Sequence, residues 1–475
     1  MTVAEKDLDL VLAPAATQLE LIRTGKLSAL ELTEAHIRQI ERLNPELNVF
    51  ADFDAERARK QARKLDGARK NRGALHGLPM TIKSSIAVAG HRCEIGSLLH
   101  KGDVPREDAV AVARLRAAGA VILGTTNCPD LLMAYETDND LYGQTRNPWD
   151  VTRTPGGSSG GESAAIAAGL SSAGLGSDSG GSVRVPAHFT GICALKPTPG
   201  RVPGRGHLPP CVGPFSILGA IGPMARTIDD VSLLFRTLGG QDPYDPVSTP
   251  LAVRELTLDE LRANTIGFFE DDGITPVTAE TRAAVQSAVK ALREAGFRVE
   301  PFRPQTLEAL RTLWWKFFVQ CGAMFYEPAI LGKRYQLSPI FVEFLSIAEA
   351  AGKLTGTELL GAWAELDLVR ARTLEELNEF PVLLHPVAAT PAWRHGERTW
   401  TIDGKTVEYL DAVRYTQWFN TLGAPGVVVP VGASAAGLPI GVQIGARPFA
   451  DEVALGIAAV VDKAFGYKPP PMARG

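Results

Sequence analysis

The segment from Pro155 to Pro203, PGGSSGGESAAIAAGLSSAGLGSDSGGSVRVPAHFTGICALKPTPGRVP, constrains this chain more than any other stretch. Glycine and serine dominate it, yet it is not low-complexity. GGSSGG runs straight into a small-residue helix, predicted over Ser163–Gly169, and a second loop, GSDSGGS, follows. Two glycine-flanked serine loops that bracket a helix bring backbone N–H groups and hydroxyls together. Glycine serves there where φ is positive or where a substrate must approach the backbone. A flexible or merely close-packed loop does not account for that order.

Three chemistries compete for such a segment. Phosphate binding would need GxxxxGK[ST] or a complete GxGxxG after a strand, and neither is present. Gly156-Gly157-Ser158-Ser159-Gly160 formally matches the G-x-S-x-G of an α/β-hydrolase, but the preceding WDVTRTP is not the apolar strand that such an elbow needs. The later histidines, His188, His207, His385 and His395, lack an acid-then-base order, and the isolated His385 and His395 read as structural or exposed. The third chemistry is a serine hydrolase whose base is lysine. A serine hydroxyl is a poor nucleophile without a base. Burial disfavours the ammonium form of a lysine, so a neutral amine becomes available to accept a proton. Lys83 ends the apolar run PMTIK, which suits such burial.

The flanking sequence alternates helix and strand, which predicts an α/β fold. Helices are predicted for the first 65 or so residues, with a capping box at Ser28–Glu31 and a stop at Asn44-Pro45. A strand from Leu78 ends at Lys83. A helix over Asp108–Ala118, with Gly119 just past its end, precedes a strand at Ala120–Leu123. The pattern resumes with a strand at Thr265–Phe269, a helix at Thr278–Ala295, Gly296 past its end and a strand at Phe297–Val299. Residues 305–380 read as mostly helical, 425–432 and 438–444 as buried strands, and 451–465 as a last helix. No internal repeat or linker is visible, so residues 1–475 read as one domain. Within it lie a helical segment (1–65), a core (66–230) and a cap-like helical segment (305–380).

Composition narrows the rest. At 45% hydrophobic residues the chain can bury enough surface to fold. A net charge of −4 gives no nucleic-acid footprint. No run of about 18 apolar residues predicts a spanning helix. Five scattered cysteines without a CxxC pair argue against zinc and against a disulfide framework. With no signal peptide visible, a reducing, cytoplasmic address is expected.

From Leu30 to about Asp451 the chain resembles the amidase signature family, most strongly over residues 75–227. The supporting segments include LHGLPMTIKSSIAVAG (75–90), GAVILGTTNCPDL (119–131), TPGGSSGGESAAIAAG (154–169), GLGSDSGGSVRVPA (174–187), GICALKPTPGRV (191–202), GPMARTIDD (222–230) and GAPGVVVPVG (423–432). The resemblance implies a central twisted mixed β-sheet covered on both faces by helices, and hydrolysis of amide bonds. It implies a Ser–cis-Ser–Lys triad in which Lys83 is the base, Ser158 the cis-serine and Ser182 the nucleophile. The peptide between Gly157 and Ser158 is then expected to be cis. The N–H groups of Ser179, Gly180, Gly181 and Ser182 become the expected oxyanion hole. Ser159 becomes a hydrogen-bond support, and Asp178 with Arg184 a brace for the two loops. Related sequences often carry an acidic residue after the lysine, where this chain has Ser84.

Family members include glutamine-hydrolysing amidotransferase subunits, fatty acid amide hydrolases, aryl acylamidases and urethane hydrolases. The glutamine-reading aspartate would fall at Val413, with Asp411 close by. Leu132 and Met133 fall where the family's fatty-amide hydrolases line an acyl channel. The window 314–326, WWKFFVQCGAMFY, holds six aromatics in thirteen residues and reads as either helix core or a hydrophobic lid. The expected substrate is an apolar or aryl amide, with esters and carbamates (urethanes) as further substrates. No cofactor, metal, nucleic acid or integral membrane segment is expected, and the chain would act as a monomer or homodimer. The alternatives are a degenerate binding protein and a glutaminase-type component of a tRNA amidotransferase.

Overall fold

The densest β-branched run of the chain, VVVPV at 427–431, lies inside an eleven-stranded sheet. The computed structural model describes residues 3–67 and 73–474, so small parts of the 1–65 and 66–230 segments fall outside it. In chain order the strands are β1 (Phe50–Phe53), β2 (Pro79–Lys83), β3 (Val121–Thr126), β4 (Ala173–Asp178), β5 (Cys193–Lys196), β6 (Ala220–Ala225), β7 (Ile266–Phe268), β8 (Val299–Pro301), β9 (Val382–Pro386), β10 (Thr399–Ile402), β11 (Lys405–Glu408), β12 (Gly426–Ala433) and β13 (Pro439–Ala446). The main sheet runs β1-β3-β2-β4-β6-β5-β12-β13-β9-β7-β8, and β10 pairs with β11 in a separate hairpin. The triplets β3-β2-β4 and β9-β7-β8 are parallel, and the strands between them pair antiparallel.

Helices cover both faces, and β12 shows why. Its side chains alternate. Val427 and Val429 point into a cluster with Val285 and Leu292 of the helix Ala279–Glu294 and Ala458 of the helix Asp451–Phe465. Val428 points the other way, against Ile166 and Ala187 from the helices Gly160–Ala167 and Arg184–Thr190. Each such aliphatic side chain contributes on the order of 1.5–3 kcal/mol by leaving water. A third, aromatic-rich cluster gathers residues from the helices of 305–380 and from 409–422. Among the described residues no helix is long and apolar enough to cross a membrane.

Several boundaries differ from the sequence reading. The helix Ala29–Leu47 does not stop at Asn44-Pro45 but carries Pro45 inside its last turn. There proline forgoes one bond, to the carbonyl of exposed Glu41, and the helix closes at Asn48 in the left-handed region. The 1–65 segment also contains the edge strand β1. The strand expected at Phe297–Val299 starts only at Val299, and β3 runs on to Thr126.

Candidate active site

β2 and β4 are neighbours and parallel, with Ile82 opposite Leu175. Both strands therefore deliver their C-terminal residues to one edge of the sheet, where ligands bind in α/β folds. Lys83 ends β2, and Ser177 and Asp178 end β4. Lys83 is fully buried. Its Nζ lies 2.7 Å from Ser158 Oγ, 3.1 Å from Ser177 Oγ and 3.4 Å from the Ser177 carbonyl oxygen. A neutral amine has two N–H donors and one lone pair. The Ser177 carbonyl can only accept, and the Ser177 hydroxyl can accept the second N–H. The lone pair is left for the hydroxyl of Ser158.

Burial pushes the Lys83 ammonium down to about 8, against the opposing pull of Cys128, Asp178 and Glu162. Burial also raises the Cys128 thiol to about 11 and the Glu162 carboxyl to about 8. The Cys128 thiol therefore stays protonated at pH 7. Thr81 and Thr126 hydroxyls donate to Glu162. Burial alone would raise Asp178 as well, but Arg184, Lys196 and Asn420 hold its carboxyl well below the usual range. Asp178 thus keeps a lasting negative charge that acts on Lys83, whereas Ser84 pairs with Cys128 Sγ at 3.2 Å.

The two serine loops touch directly. The Gly157–Ser158 peptide is cis, as expected. Ser159 N–H donates to the Ser182 carbonyl at 3.1 Å, and Ser159 Oγ bonds the backbone of Ser177. Asp178 and Arg184 do not brace the two loops to each other as expected. Asp178 accepts from the N–H groups of Gly181 and Val183 within its own loop. Arg184 pairs with Asp178 and reaches the Thr416 carbonyl, Asn420 and Gln443. The pair anchors the Ser182 loop to the helix Arg414–Leu422 and to β13.

One of the expected oxyanion donors is already engaged. The Gly181 N–H is taken by Asp178 Oδ1 at 2.8 Å. The N–H groups of Ser179, Gly180 and Ser182 have no acceptor among the described residues. The opposite ends of that loop's peptides are fixed: Trp314 Nε1 donates to the Ser179 carbonyl, and the hydroxyls of Tyr135 and Thr416 donate to the Gly180 carbonyl. Glycine is required at 181, where φ is +126° and a Cβ would meet Thr416 Oγ1 at 2.3 Å. No hydrogen bond joins the hydroxyls of Ser158 and Ser182, although both line the same cleft. Hydrogen bonds of such a relay tighten in the Michaelis complex.

The cleft has two lobes that share Leu132, Met133, Ser182 and Phe318. One adds Ser158, Ser177, His207, Cys211 and Tyr326. The other adds Tyr135, Trp314, Phe344, Tyr409 and Leu410. Neither lobe is lined by an Asp, Glu, Lys or Arg side chain. Leu132 and Met133 therefore stand beside the expected nucleophile. The 314–326 window serves both of its readings: Trp314 and Phe317 are core residues, while Trp314, Phe318 and Tyr326 also wall the cleft. A π-helical turn over Trp315–Gln320 brings the rings of Trp314 and Phe318 into a stack with centroids 4.7 Å apart. Asp411 pairs with Arg311 at 2.6 Å and lines neither lobe. Sequence reasoning missed Ser177, Glu162 and His207 as neighbours of the lysine. His188 and His385 are buried structural residues, the latter stacked between Phe269 and Phe419.

The amidase family profile matches residues 31–455. The A component of the glutamyl-tRNA(Gln) amidotransferase from Roseiflexus castenholzii is 37% identical over 91% of this chain and 92% of its own. An indoleacetamide hydrolase from Bradyrhizobium diazoefficiens is 32% identical over 94% of this chain and 85% of its own. A solved 6-aminohexanoate cyclic dimer hydrolase, in complex with its substrate, superposes with a TM-score of 0.85 at 27% identity, covering 98% of this chain and 99% of its own. The chain belongs to the amidase family, the amidase signature enzymes.

Proposed function

We propose that this amidase cleaves the C–N bond of apolar or aryl amides through an acyl-enzyme on Ser182. The observation that carries the reading is Lys83 Nζ, buried and 2.7 Å from the Oγ of Ser158, a serine that lines a cleft without an Asp, Glu, Lys or Arg side chain. Neutral Lys83 takes a proton from Ser158 as Ser158 takes one from Ser182. The Ser182 oxygen then bonds to the substrate carbonyl carbon. The free N–H groups of Ser179, Gly180 and Ser182 face the developing oxyanion, each contributing about 3 kcal/mol by analogy with other acyl-transfer sites. As the C–N bond breaks, the proton returns through Ser158 to the leaving nitrogen, because an amide anion is too basic to depart. Water releases the acid by the reverse relay. Esters and carbamates fit the same nucleophile and oxyanion site.

The amidotransferase relative favours a second reading, glutaminase action beside a partner protein. Free glutamine carries an ammonium and a carboxylate, and burying either without an opposite charge is costly. Neither lobe offers one, and Asp411 is engaged by Arg311. A binding protein that had lost catalysis would have no need to keep Lys83, Ser158 and Ser182 together. Chromogenic anilides, fatty amides, esters and carbamates, tested on wild type and Ser182→Ala, decide the matter. Amide turnover should vanish in the variant. Near-full amide turnover in Ser182→Ala, or turnover of glutamine alone, overturns the proposal.

A further inference from the structure

His207 is 8% exposed and stands between two cavities, the lobe that contains Ser158, Ser177 and Ser182 and a neighbouring one walled by Arg205, Val212 and Tyr244. It stands in the segment His207–Val212, whose Leu208 N–H donates to the Ser85 carbonyl at 2.7 Å, two residues from Lys83. His207 Nδ1 lies 2.8 Å from the Pro209 carbonyl oxygen. A carbonyl only accepts, so Nδ1 carries the ring proton and Nε2 presents its lone pair. Nε2 is buried and has no partner among the described residues. Buried polar atoms are ordinarily satisfied, and an orphan on a residue that lines the cleft points to a ligand group. Burial holds the ring neutral, at about 4, against the Pro209 bond, with the charge of Lys83 adding to the lowering. The acceptor therefore persists throughout the working pH range.

The lobe can be assigned from proton bookkeeping alone. Ser158 must reach the leaving nitrogen to protonate it, and Ser158 lines only the His207 lobe of the two. That lobe holds the leaving group, and the Trp314 lobe holds the acyl group. We infer that His207 Nε2 accepts a hydrogen bond from the N–H of the leaving group, and so selects amides that carry such an N–H over esters and N-alkylated amides. This rests on the proposed role of Ser158. An ester oxygen in the same place would set lone pair against lone pair and leave the buried acceptor unsatisfied.

The test is a cycle between enzyme and substrate. p-Nitroacetanilide, its N-methyl analogue and p-nitrophenyl acetate are turned over by wild type and His207→Leu. The variant should lose about tenfold in kcat/KM on the anilide relative to the ester, the worth of one buried hydrogen bond. N-methylation should cost the variant about tenfold less than it costs wild type. Equal losses on anilide and ester, or an N-methyl penalty identical in both proteins, overturn the inference. Retained ester turnover reports folding, and if His207→Leu fails there, His207→Phe keeps the ring and removes the lone pair. Ser182→Ala in the same assays separates the two ideas. Anilide turnover that survives it breaks the underlying mechanism, whereas a null His207 cycle breaks only the selectivity.

Discussion

β2 and β5 each bury a lysine, and the two lysines share almost everything except their neighbours. Lys83 and Lys196 are both fully buried, and burial pushes the first down to about 8 and the second to about 7. Lys196 Nζ donates to the carbonyl of Pro197 at 2.8 Å, and no hydroxyl pairs with it among the described residues. Arg184 lowers it further, and Asp178 and Asp451 pull the other way. Lys83 meets two serine hydroxyls beside an apolar cleft. A neutral amine is thus a consequence of depth, common to both. Chemistry needs a hydroxyl at its lone pair and a route from that hydroxyl to substrate, and of the two lysines Lys83 is the one beside such a hydroxyl, on a serine that lines the cleft.

The comparison breaks most sharply at Lys83 itself. Lys83→Met should lower amide kcat/KM by about a thousandfold or more, with a smaller loss on a matched ester, because only the amine leaving group needs the returned proton. Steady-state kinetics on an anilide and an ester with the same acyl group measure this, and equal losses would refute the relay. Next comes the charge that both lysines feel. Arg184→Met leaves Asp178 buried without its partner and should cost about 3–5 kcal/mol of stability, read from the urea midpoint. In the wild-type enzyme, amide kcat/KM should rise about tenfold per pH unit below 8 and level off above it. The sign follows from the amine, since only its deprotonated form accepts a proton and that fraction grows with pH up to about 8. A profile that falls across that range would contradict a lysine base. The smallest effect belongs to the other lysine: Lys196→Met should leave amide kcat/KM within about threefold of wild type and the pH profile unmoved.

Much of this frame is legible in the sequence, because burial and periodicity carry it. PMTIK reads as a buried strand that delivers Lys83, and GVVVPVG as a strand between two layers. Leu132 and Met133, singled out from the motifs, line both lobes of the cleft. What escapes notice is local in the chain yet set by distant partners. β1 is four residues long and pairs only with β3, so nothing in FADF marks it. Pro45 is tolerated because it stands in a helix's last turn, which a residue count does not reveal. Arg184 looks like a loop brace, but its partners lie more than two hundred residues away at Thr416, Asn420 and Gln443. Gly181 looks like one more oxyanion donor until Asp178 takes its N–H. His207 looks like a stray histidine, and only the fold sets it beside the serines.

The proposed mechanism requires one proton path from Ser182 through Ser158 to Lys83, with Ser158 bonded to both when the cleft is filled. A crystal structure with a boronic acid bound covalently at Ser182 tests it most directly. The account predicts Ser158 Oγ within about 3 Å of both Lys83 Nζ and Ser182 Oγ. A covalent adduct on another serine, or a Ser158 hydroxyl turned away from Ser182 while the adduct fills the cleft, would contradict it.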